Sequence, residues 1–231
     1  MIPAALNGPR ARLSARMRRA SLVLRLAVFE AIGPRVRRAL DVCVGGFGLL
    51  CVAPVLAVAA FAIRVESKGA ILFKQMRVGR GGAPIAIRKL RTMYPDAEAR
   101  RAALEAANES KGGVTFKMKR DPRITRVGRV LRKLSIDELP QLWNLVDGTM
   151  TLLGPRPPLA SEVEKYGRRA RRRLEVTPGL TCFWQVQGRS NLAFEEQVEL
   201  DVAYIDRATL KDDISIVART VPAVLTGKGA Y

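Results

Sequence analysis

An uncharged apolar run at residues 42–63, VCVGGFGLLCVAPVLAVAAFAI, constrains this chain more than any other feature. A helix of this length extends about 33 Å, enough to cross the hydrocarbon core of a bilayer. The alternative of a buried helix in a soluble domain is disfavoured, because soluble helices rarely need so long an apolar stretch. The run therefore predicts a membrane-inserted segment.

The residues around and inside this run predict how it enters the membrane. Arginine stands on both sides of it, at Arg35, Arg37, Arg38 and Arg64. Cytoplasmic flanks are preferentially basic, and Pro54 lacks the N–H of a regular helix and kinks the run near its middle. We therefore expect residues 36–66 to form a re-entrant membrane helical hairpin whose two ends face the cytoplasm. A straight span is the alternative.

The N-terminal segment, residues 1–35, is basic. Nine arginines lie in residues 1–41 against the two acids Glu30 and Asp41, around an apolar island at residues 22–32. This pattern predicts a segment that lies on an anionic lipid surface. Charges inside the island argue against a signal peptide, and a disordered basic tail is the alternative for residues 1–20.

Composition limits the chemistry that the remaining residues can perform. Forty Lys and Arg against 21 Asp and Glu give a net charge of +19, which implies an anionic partner. The chain has no histidine, which excludes Ser-His and Cys-His triads and every His-containing metal site. The three cysteines show no metal-ligand spacing and fit a reducing, cytoplasm-facing protein. An acid, base or nucleophile must therefore come mainly from carboxylates.

Residues 67–231 predict one small cytosolic catalytic domain of the α/β class, irregular in its layout. Short runs at 71–75 and 84–90, joined by the turn-rich VGRGGA, predict an antiparallel β-hairpin. No GxGxxG follows a strand, which excludes a doubly wound nucleotide-binding fold. The five arginines within residues 168–173 indicate a solvated or membrane-facing surface.

Several surface helices are expected around this hairpin, at residues 95–107, at residues 195–204 and from residue 212 onward. A further helix is amphipathic. Its apolar side carries Ile124, Val127, Leu131 and Leu134. Its cationic side carries Arg123, Arg126, Arg129 and Arg132.

The sharpest local feature is the acid pair Asp137-Glu138, which follows Ser135 and precedes an apolar helical pattern. Ser135 and Glu138 match a capping box, which predicts that a helix begins here. The N-terminus of a helix keeps a carboxylate ionised and attracts phosphate, and an ionised Asp137 can attack phosphorus. The alternative is that Glu138 only caps the helix and Asp137 only complements its dipole.

Arginines near this pair favour a phosphorylated substrate over the purely structural alternative. The cationic stripe ends at Arg132, directly before the acids, and Arg156 follows in the GPRP segment. Guanidinium groups bind phosphate oxygens in a bidentate manner, which suits a pyrophosphate donor. A diphosphate usually brings Mg²⁺, and Glu138 is its natural ligand if Asp137 is the nucleophile.

Several stretches in one order resemble the monotopic phosphoglycosyl transferases, bacterial sugar transferases that initiate exopolysaccharide, O-antigen and glycoprotein glycan synthesis. The resemblance covers residues 36–231 and rests on FKQMRVGRGG, IRKLRTM, DPRITRVGRVLRKLSIDELPQLWNLVDGTMTLLGPRPP, and TPGLTCFWQVQGRS followed by LDVAYI. Two positions depart from the family pattern: Ala70 replaces a common Pro, and Cys182 replaces a common Gly.

This resemblance implies a cytoplasmic-membrane enzyme that moves hexose 1-phosphate from a UDP-sugar, UDP-glucose or UDP-galactose, to polyprenyl (undecaprenyl) phosphate. UMP leaves in a ping-pong reaction through a phosphosugar-aspartate intermediate. Asp137 matches the nucleophile and Glu138 the Mg²⁺ ligand. The implied substrate-binding residues are Lys89, Arg91, Arg132, Arg156, Arg189 and Asp213.

Two other functions stay open at this stage. A membrane-tethered basic protein that binds nucleic acid or anionic lipid would also use the net charge, but nucleic-acid binding predicts aromatic residues among the basic ones. Aromatic residues are only 6% of the chain, so we expect no nucleic-acid partner. A different phosphotransferase that forms an aspartyl-phosphate is the second alternative. The sequence leaves the choice between monomer and homo-oligomer open.

Overall fold

The computed structural model describes residues 9–104, 118, 121–187, 192–207 and 209–226, and it describes only the backbone of the helix before residue 33. The chain divides into two compact units, residues 1–40 and residues 41–231. The first unit is helical from Pro9 onward. That this helix lies on lipid stays a prediction.

The first element, α1, is a single helix at Pro9–Glu66 that continues through Pro54 without interruption. Its Gly33–Glu66 portion has a mean hydropathy of 2.4 over the most apolar 18 residues, of which 11% are buried. In the described part of the chain it is the one helix that is long and apolar enough to cross a membrane. Length and composition alone support that statement, so the re-entrant hairpin stays a prediction.

A β-hairpin follows α1, as the sequence predicts. Strand β1 at Leu72–Val78 pairs antiparallel with β2 at Pro84–Leu90, from Leu72 opposite Leu90 to Val78 opposite Pro84. The turn is a short 3-10 helix at Arg80–Gly82, where Gly81 and Gly82 have φ values of +66° and +86°. Glycine suits both positions because it adopts positive φ without a Cβ clash.

Within the described residues up to position 150, four short helical segments follow the hairpin. The region predicted as a helix at 95–107 consists of turns and the one-turn helix α2 at Arg101–Leu104 in its described part. The amphipathic helix α3 spans Arg126–Lys133 and is capped by the Thr125 hydroxyl, which accepts a hydrogen bond from the Gly128 N–H. A 3-10 helix at Ile136–Gln141 leads into α4 at Leu142–Asp147.

Gly128 allows α3 to pack directly on the chain that leaves β2. A Cβ at this position would lie 2.1 Å from the Thr92 carbonyl oxygen, so only glycine permits the contact without movement of the backbone. The Thr125 N–H donates to the same carbonyl oxygen at 3.0 Å. The N-terminal end of α3 is thereby held close to the chain that leaves β2.

Asn144, on α4, is fully buried and binds the free edge of β2. Its Oδ1 accepts from the Arg88 N–H at 3.2 Å, and its Nδ2 donates to the Ala86 carbonyl oxygen at 2.9 Å. One side-chain amide therefore occupies the hydrogen-bonding positions of a missing neighbouring strand. Leu145 and Met150 pack beneath it against Ile87.

A second two-stranded sheet was not predicted from the sequence. Strand β3 at Thr151–Leu153 pairs in parallel with β4 at Gly179–Thr181. Gly154 and Gly179 touch backbone to backbone, since a Cβ on Gly179 would lie 2.0 Å from the Gly154 nitrogen.

Further helical segments make up the rest of the described chain. They are α5 at Ala160–Val163, α6 at Arg168–Arg171, a 3-10 helix at Arg172–Leu174, α7 at Phe183–Gln187, α8 at Phe194–Arg207 and α9 at Leu210–Thr226. The two predicted C-terminal helices are confirmed as α8 and α9. Tyr166 and Ala170 pack with Val198 and Val202 in a small core.

Residues 41–66 of α1 belong to the second unit and pack lengthwise against the rest of it. Ala59 and Ile63 are buried with Leu90 and Leu131 in one cluster. Near the other end, a Cβ at Gly45 would lie 2.8 Å from the Leu142 carbonyl oxygen, so glycine permits close contact with α4. The opposite face leaves large apolar side chains exposed, namely Phe47, Leu50, Val58, Phe61 and Val65.

Candidate active site

A cavity of about 860 Å³ opens between the β-hairpin, the end of α3, the 3-10 helix at Ile136–Gln141 and the segment at residues 154–158. It lies wholly within the second unit. Its wall contains six of the residues that the sequence analysis selected: Lys89, Arg91, Arg132, Asp137, Glu138 and Arg156. The fold therefore brings together residues that are up to 67 positions apart in the chain.

The acid pair lies on a 3-10 helix and not at the start of an α-helix, so the predicted capping box is wrong. Ser135 has a left-handed backbone, with φ of +55°, and in the described part of the chain its side chain caps nothing. Pro140 lacks an N–H and its ring excludes the α-helical arrangement, so α4 begins only at Leu142. Neighbouring cations therefore stabilise the charge of the pair in place of a helix dipole.

Glu138 is the charged member of the pair. Its Oε1 lies 2.7 Å from the Lys89 Nζ and 3.5 Å from an Arg156 nitrogen. Burial raises the pKa of Glu138, but the charges of Lys89 and Arg156 outweigh burial and hold the pKa well below its ordinary value. Glu138 is therefore ionised at every pH at which the protein would operate.

Asp137 has the higher pKa of the two carboxyl groups. It is only 7% exposed, and burial, followed by the charge of Glu138, raises its pKa above the ordinary value. Lys89, Arg132 and Arg156 oppose this rise. A carboxylate whose pKa is raised is a stronger base and nucleophile when it is ionised, which suits a residue that attacks a substrate.

The basic residues of the wall are themselves held in place. Arg132 donates from Nε to the Thr92 hydroxyl at 2.9 Å, which directs its guanidinium toward Asp137. Burial lowers the pKa of Lys89, and the charge of Glu138 opposes that change. Burial also lowers the pKa of Arg156, but the charges of Glu138 and Glu162 outweigh it and raise the pKa overall.

Arg156 lies on a proline-rich segment whose carbonyl groups are bound one by one. Proline has no N–H, so such a segment cannot hold its shape through its own backbone donors. Four consecutive carbonyl oxygens instead accept from other elements: Pro155 from the Gly179 N–H at 2.9 Å, Arg156 from Arg173 at 3.5 Å, Pro157 from Arg77 at 3.1 Å and Pro158 from the Val78 N–H at 2.9 Å. This bonding fixes the position of Arg156 opposite Glu138.

Two of the predicted substrate-binding residues have other surroundings, namely Arg91 and Asp213. Arg91 reaches the cavity wall, but its terminal nitrogens donate to Ser67 and to the Lys68 carbonyl oxygen, where they hold the turn after α1. Asp213 accepts from the Tyr204 hydroxyl at 2.8 Å and is not part of the cavity wall that the described residues form. Arg189 lies outside the described residues.

Sequence reasoning missed two groups of the cavity. Arg77, on β1, lines the cavity beside Arg156, and only its i+2 spacing from Gln75 indicates that the two share one face of the strand. Arg173 was assigned with its arginine-rich neighbours to the surface, but it is buried and lies 2.9 Å from the buried Asp201. Burial raises the pKa of Asp201 to about 6, against the opposing charge of Arg173.

The acid pair fits a Mg²⁺ ion that is shared with a substrate. Within the described residues, no cluster of three or more Asp, Glu, Cys or His side chains offers a complete protein site. Mg²⁺ usually takes only one or two carboxylates and completes its shell with substrate phosphates and water. Glu138 lines the cavity, and both Lys89 and Arg156 contact its Oε1.

Known proteins resemble this chain over most of its length. The family model described as bacterial sugar transferase matches residues 32–227, a span that includes every cavity residue named above. The galactosyl transferase CpsE of Streptococcus agalactiae serotype III (strain NEM316) is 43% identical over 195 residues, which cover 84% of this chain and 43% of that protein. This chain thus spans less than half the length of that relative.

Two further relatives are covered more fully. The exopolysaccharide production protein ExoY of Rhizobium meliloti (strain 1021) is 36% identical over 205 residues, 87% of this chain and 90% of that protein. The UDP-glucose:undecaprenyl-phosphate glucose-1-phosphate transferase of Caulobacter vibrioides (strain ATCC 19089 / CIP 103742 / CB 15) is 40% identical over 203 residues, 84% of this chain and 72% of that protein.

Proposed function

Because the chain belongs to the bacterial sugar transferase family, we propose that it transfers hexose 1-phosphate from a UDP-sugar to a polyprenyl phosphate and releases UMP. The observation that carries this proposal is the acid pair, which faces Lys89, Arg132 and Arg156 in one cavity. The name of the Caulobacter relative supports UDP-glucose as donor and undecaprenyl phosphate as acceptor, and the name of the streptococcal relative supports the transfer of galactose. The name ExoY supports a role in exopolysaccharide synthesis.

In the first step, a carboxylate oxygen of Asp137 attacks the phosphorus that carries the sugar. The new Asp–phosphorus bond forms as the bond to the bridging oxygen of the diphosphate breaks, and UMP leaves with that electron pair. In the second step, an oxygen of the polyprenyl phosphate attacks the same phosphorus. Asp137 is released as a carboxylate, and the product is a polyprenyl diphosphate sugar.

The neighbouring residues orient and stabilise the groups that react. Arg132 and Arg156 bind the phosphate oxygens on which charge accumulates, and Lys89 holds Glu138 in place. When bound through Glu138, Mg²⁺ would neutralise part of the charge of the diphosphate.

The protein acts, in this proposal, at the cytoplasmic face of a bacterial membrane, with both ends of the apolar run on the side of the catalytic domain. Two hydrogen-bonded contacts support this arrangement. Asp41, just before the run, accepts from the Thr151 hydroxyl at 2.8 Å and from the Leu152 N–H at 2.7 Å. Glu66, just after it, accepts from the Arg126 and Val127 N–H groups at 2.7 and 3.0 Å. Since α1 is continuous through Pro54, these contacts and not a break in the helix would keep both ends on one side.

The decisive experiment is intact-protein mass spectrometry after incubation with UDP-glucose or UDP-galactose and Mg²⁺ in the absence of acceptor. We expect an added hexose-phosphate mass on the wild type and none on Asp137→Asn, which keeps the shape but lacks the charge. Asp206→Asn, which removes an exposed carboxylate outside the cavity, is the control and should form the adduct. Turnover of Asp137→Asn near the wild-type rate would disprove the covalent mechanism.

Labelled donors separate this function from that of another aspartyl-phosphate enzyme. With label in the sugar, the protein and then the lipid should become labelled. With label in the uridine, only released UMP should carry it. Transfer of phosphate without the sugar would favour the other class of phosphotransferase.

A further inference from the structure

The buried arginines of this domain differ in what balances their charge. Arg123 pairs with Asp121 at 2.7 Å, and Arg173 pairs with Asp201 at 2.9 Å, each within a nearly solvent-free ion pair. Arg77 also loses most of its contact with water, and burial, followed by the charge of Arg156, lowers its pKa to about 10. In the part of the chain that the structure describes, Arg77 pairs with no carboxylate.

Neutral acceptors hold Arg77 instead. Its Nε and Nη2 donate to the Gln75 side-chain oxygen at 3.1 and 2.8 Å, and its Nη1 donates to the Pro157 carbonyl oxygen at 3.1 Å. A guanidinium has five N–H groups, so these bonds leave one N–H on each terminal nitrogen. Arg77 lines the cavity, and its guanidinium is fixed before any ligand arrives.

The carboxylates near Arg77 are committed to other groups. Glu138 is shared by Lys89 and Arg156 through its Oε1. Glu162 influences Arg77 through its charge, but its Oε2 accepts from the Leu159 N–H at 2.9 Å. This part of the wall therefore holds more positive charge than the neighbouring carboxylates balance, and buried charges in proteins are normally paired.

We propose that Arg77 binds the diphosphate of the nucleotide donor, with its two remaining N–H groups directed at phosphate oxygens beside Arg156. A diphosphate supplies the negative charge that no neighbouring carboxylate provides here. A fixed guanidinium can bind two of its oxygens in a bidentate manner. Arg77 is then a substrate-binding residue that also holds the segment carrying Arg156. This inference rests on the proposed function for the identity of the ligand.

Isothermal titration calorimetry on the full chain in detergent, with Mg²⁺ present, tests the assignment using UDP, inorganic pyrophosphate and uridine as probes. Arg77→Gln should weaken UDP and pyrophosphate by about tenfold or more, the usual effect of losing a charge-assisted hydrogen bond. Arg77→Lys keeps the charge but loses the guanidinium fork, so it should bind both ligands more tightly than Arg77→Gln and more weakly than the wild type. The uridine affinity should stay unchanged in both variants.

Arg88→Gln is the matched control, because Arg88 lies on the neighbouring strand and pairs with Asp147 outside the cavity. Its affinities should equal those of the wild type. Unchanged UDP affinity in Arg77→Gln would overturn the assignment. An equal loss of affinity in both Arg77 variants that includes uridine would also overturn the assignment. That pattern would mean that Arg77 only supports the 154–158 segment. Should Arg77→Gln not fold, Arg77→Lys decides the matter: a loss of pyrophosphate affinity of about threefold or more with unchanged uridine affinity would support the assignment, and a smaller loss would overturn it.

These binding measurements need no turnover, so they remain separate from the test of the proposed function. If Asp137→Asn kept its activity, the covalent mechanism would fail while the Arg77 result stood. If the adduct formed but Arg77→Gln bound UDP normally, only the present inference would fail.

Discussion

At the scale of single residues, two adjacent carboxylates in one cavity wall acquire opposite properties. Glu138 contacts Lys89 and Arg156 and keeps its charge, whereas Asp137 is buried beside that charge and its pKa rises. The difference follows from position alone, because both groups have similar ordinary pKa values. One carboxylate is therefore suited to hold cations and the other to attack phosphorus.

Replacement of Lys89 should shift the pH dependence of the reaction. Attack requires ionised Asp137, so kcat/KM should fall as the pH falls through the raised pKa of Asp137. The positive charge of Lys89 lowers that pKa, so Lys89→Gln should move the acidic limb of the profile to higher pH. The measurement is kcat/KM for UDP-glucose between pH 4.5 and 8.

Lys74→Gln supplies the control for this profile, since Lys74 is exposed on β1 and lies outside the cavity wall that the described residues form. Its acidic limb should coincide with that of the wild type. An acidic limb that stays in place in Lys89→Gln would mean that Asp137 does not govern it.

At the scale of elements, the sequence predicts the helices and strands whose formation depends on a local residue pattern. Alternation and turn residues predict the β-hairpin, and helical spacing predicts α3, α8 and α9. The pairing of β3 with β4 was missed because each strand has three residues and the partners are 28 positions apart, so tertiary packing alone defines them. The 3-10 helix was missed because the Ser135 pattern was given more weight than Pro140.

The candidate site also contains residues that a local pattern identifies and residues that only tertiary packing brings to it. Adjacent acids and an arginine stripe are local signals, and they identify Asp137, Glu138 and Arg132 from the sequence. Arg77 carries no such signal, because an arginine in a strand usually lies at the surface. Its burial depends on the proline-rich segment that packs over β1.

Asn144 connects α4 to the hairpin, and its loss should destabilise the domain. Asn144→Leu leaves the partly buried Arg88 N–H and Ala86 carbonyl oxygen without this partner, at a cost of about 2–4 kcal/mol. The thermal midpoint should fall by roughly 5–15 °C. Differential scanning calorimetry of the protein in detergent measures the change.

Trp143→Leu is the neighbouring control, because Trp143 is exposed on the same helix and only stacks with Arg88. It should cost less than about 1 kcal/mol. Equal midpoints for the two variants would mean that the Asn144 amide does not hold β2.

At the scale of the whole molecule, the apolar helix and the catalytic domain belong together. Residues 41–66 of α1 share a buried cluster with β2 and α3, and carboxylates at both ends of this stretch bind the domain. A helix surrounded by lipid on all sides could not make these contacts. The exposed face with Phe47 and Phe61 remains for the membrane.

Labelling of introduced cysteines should therefore find both ends of the apolar run on one side. In a chain with Cys43 and Cys51 replaced by alanine, cysteines at positions 36 and 68 should react with a membrane-impermeant maleimide only after the cytoplasmic face is opened. Val36 and Lys68 are both exposed, so the protein itself does not shield them. Reaction of only one position in intact cells would establish a straight span.

The contacts of Asp41 and Glu66 also limit how the domain can move. The two residues are separated by 25 positions, about 37 Å along a helix. A domain that contacts a helix at one point can rotate about that point in any direction. Contacts at two distant points leave only rotation about the helix axis. The tilt of the helix in the bilayer would thus set the height above the membrane at which the cavity meets a lipid phosphate. That height is then fixed by the fold.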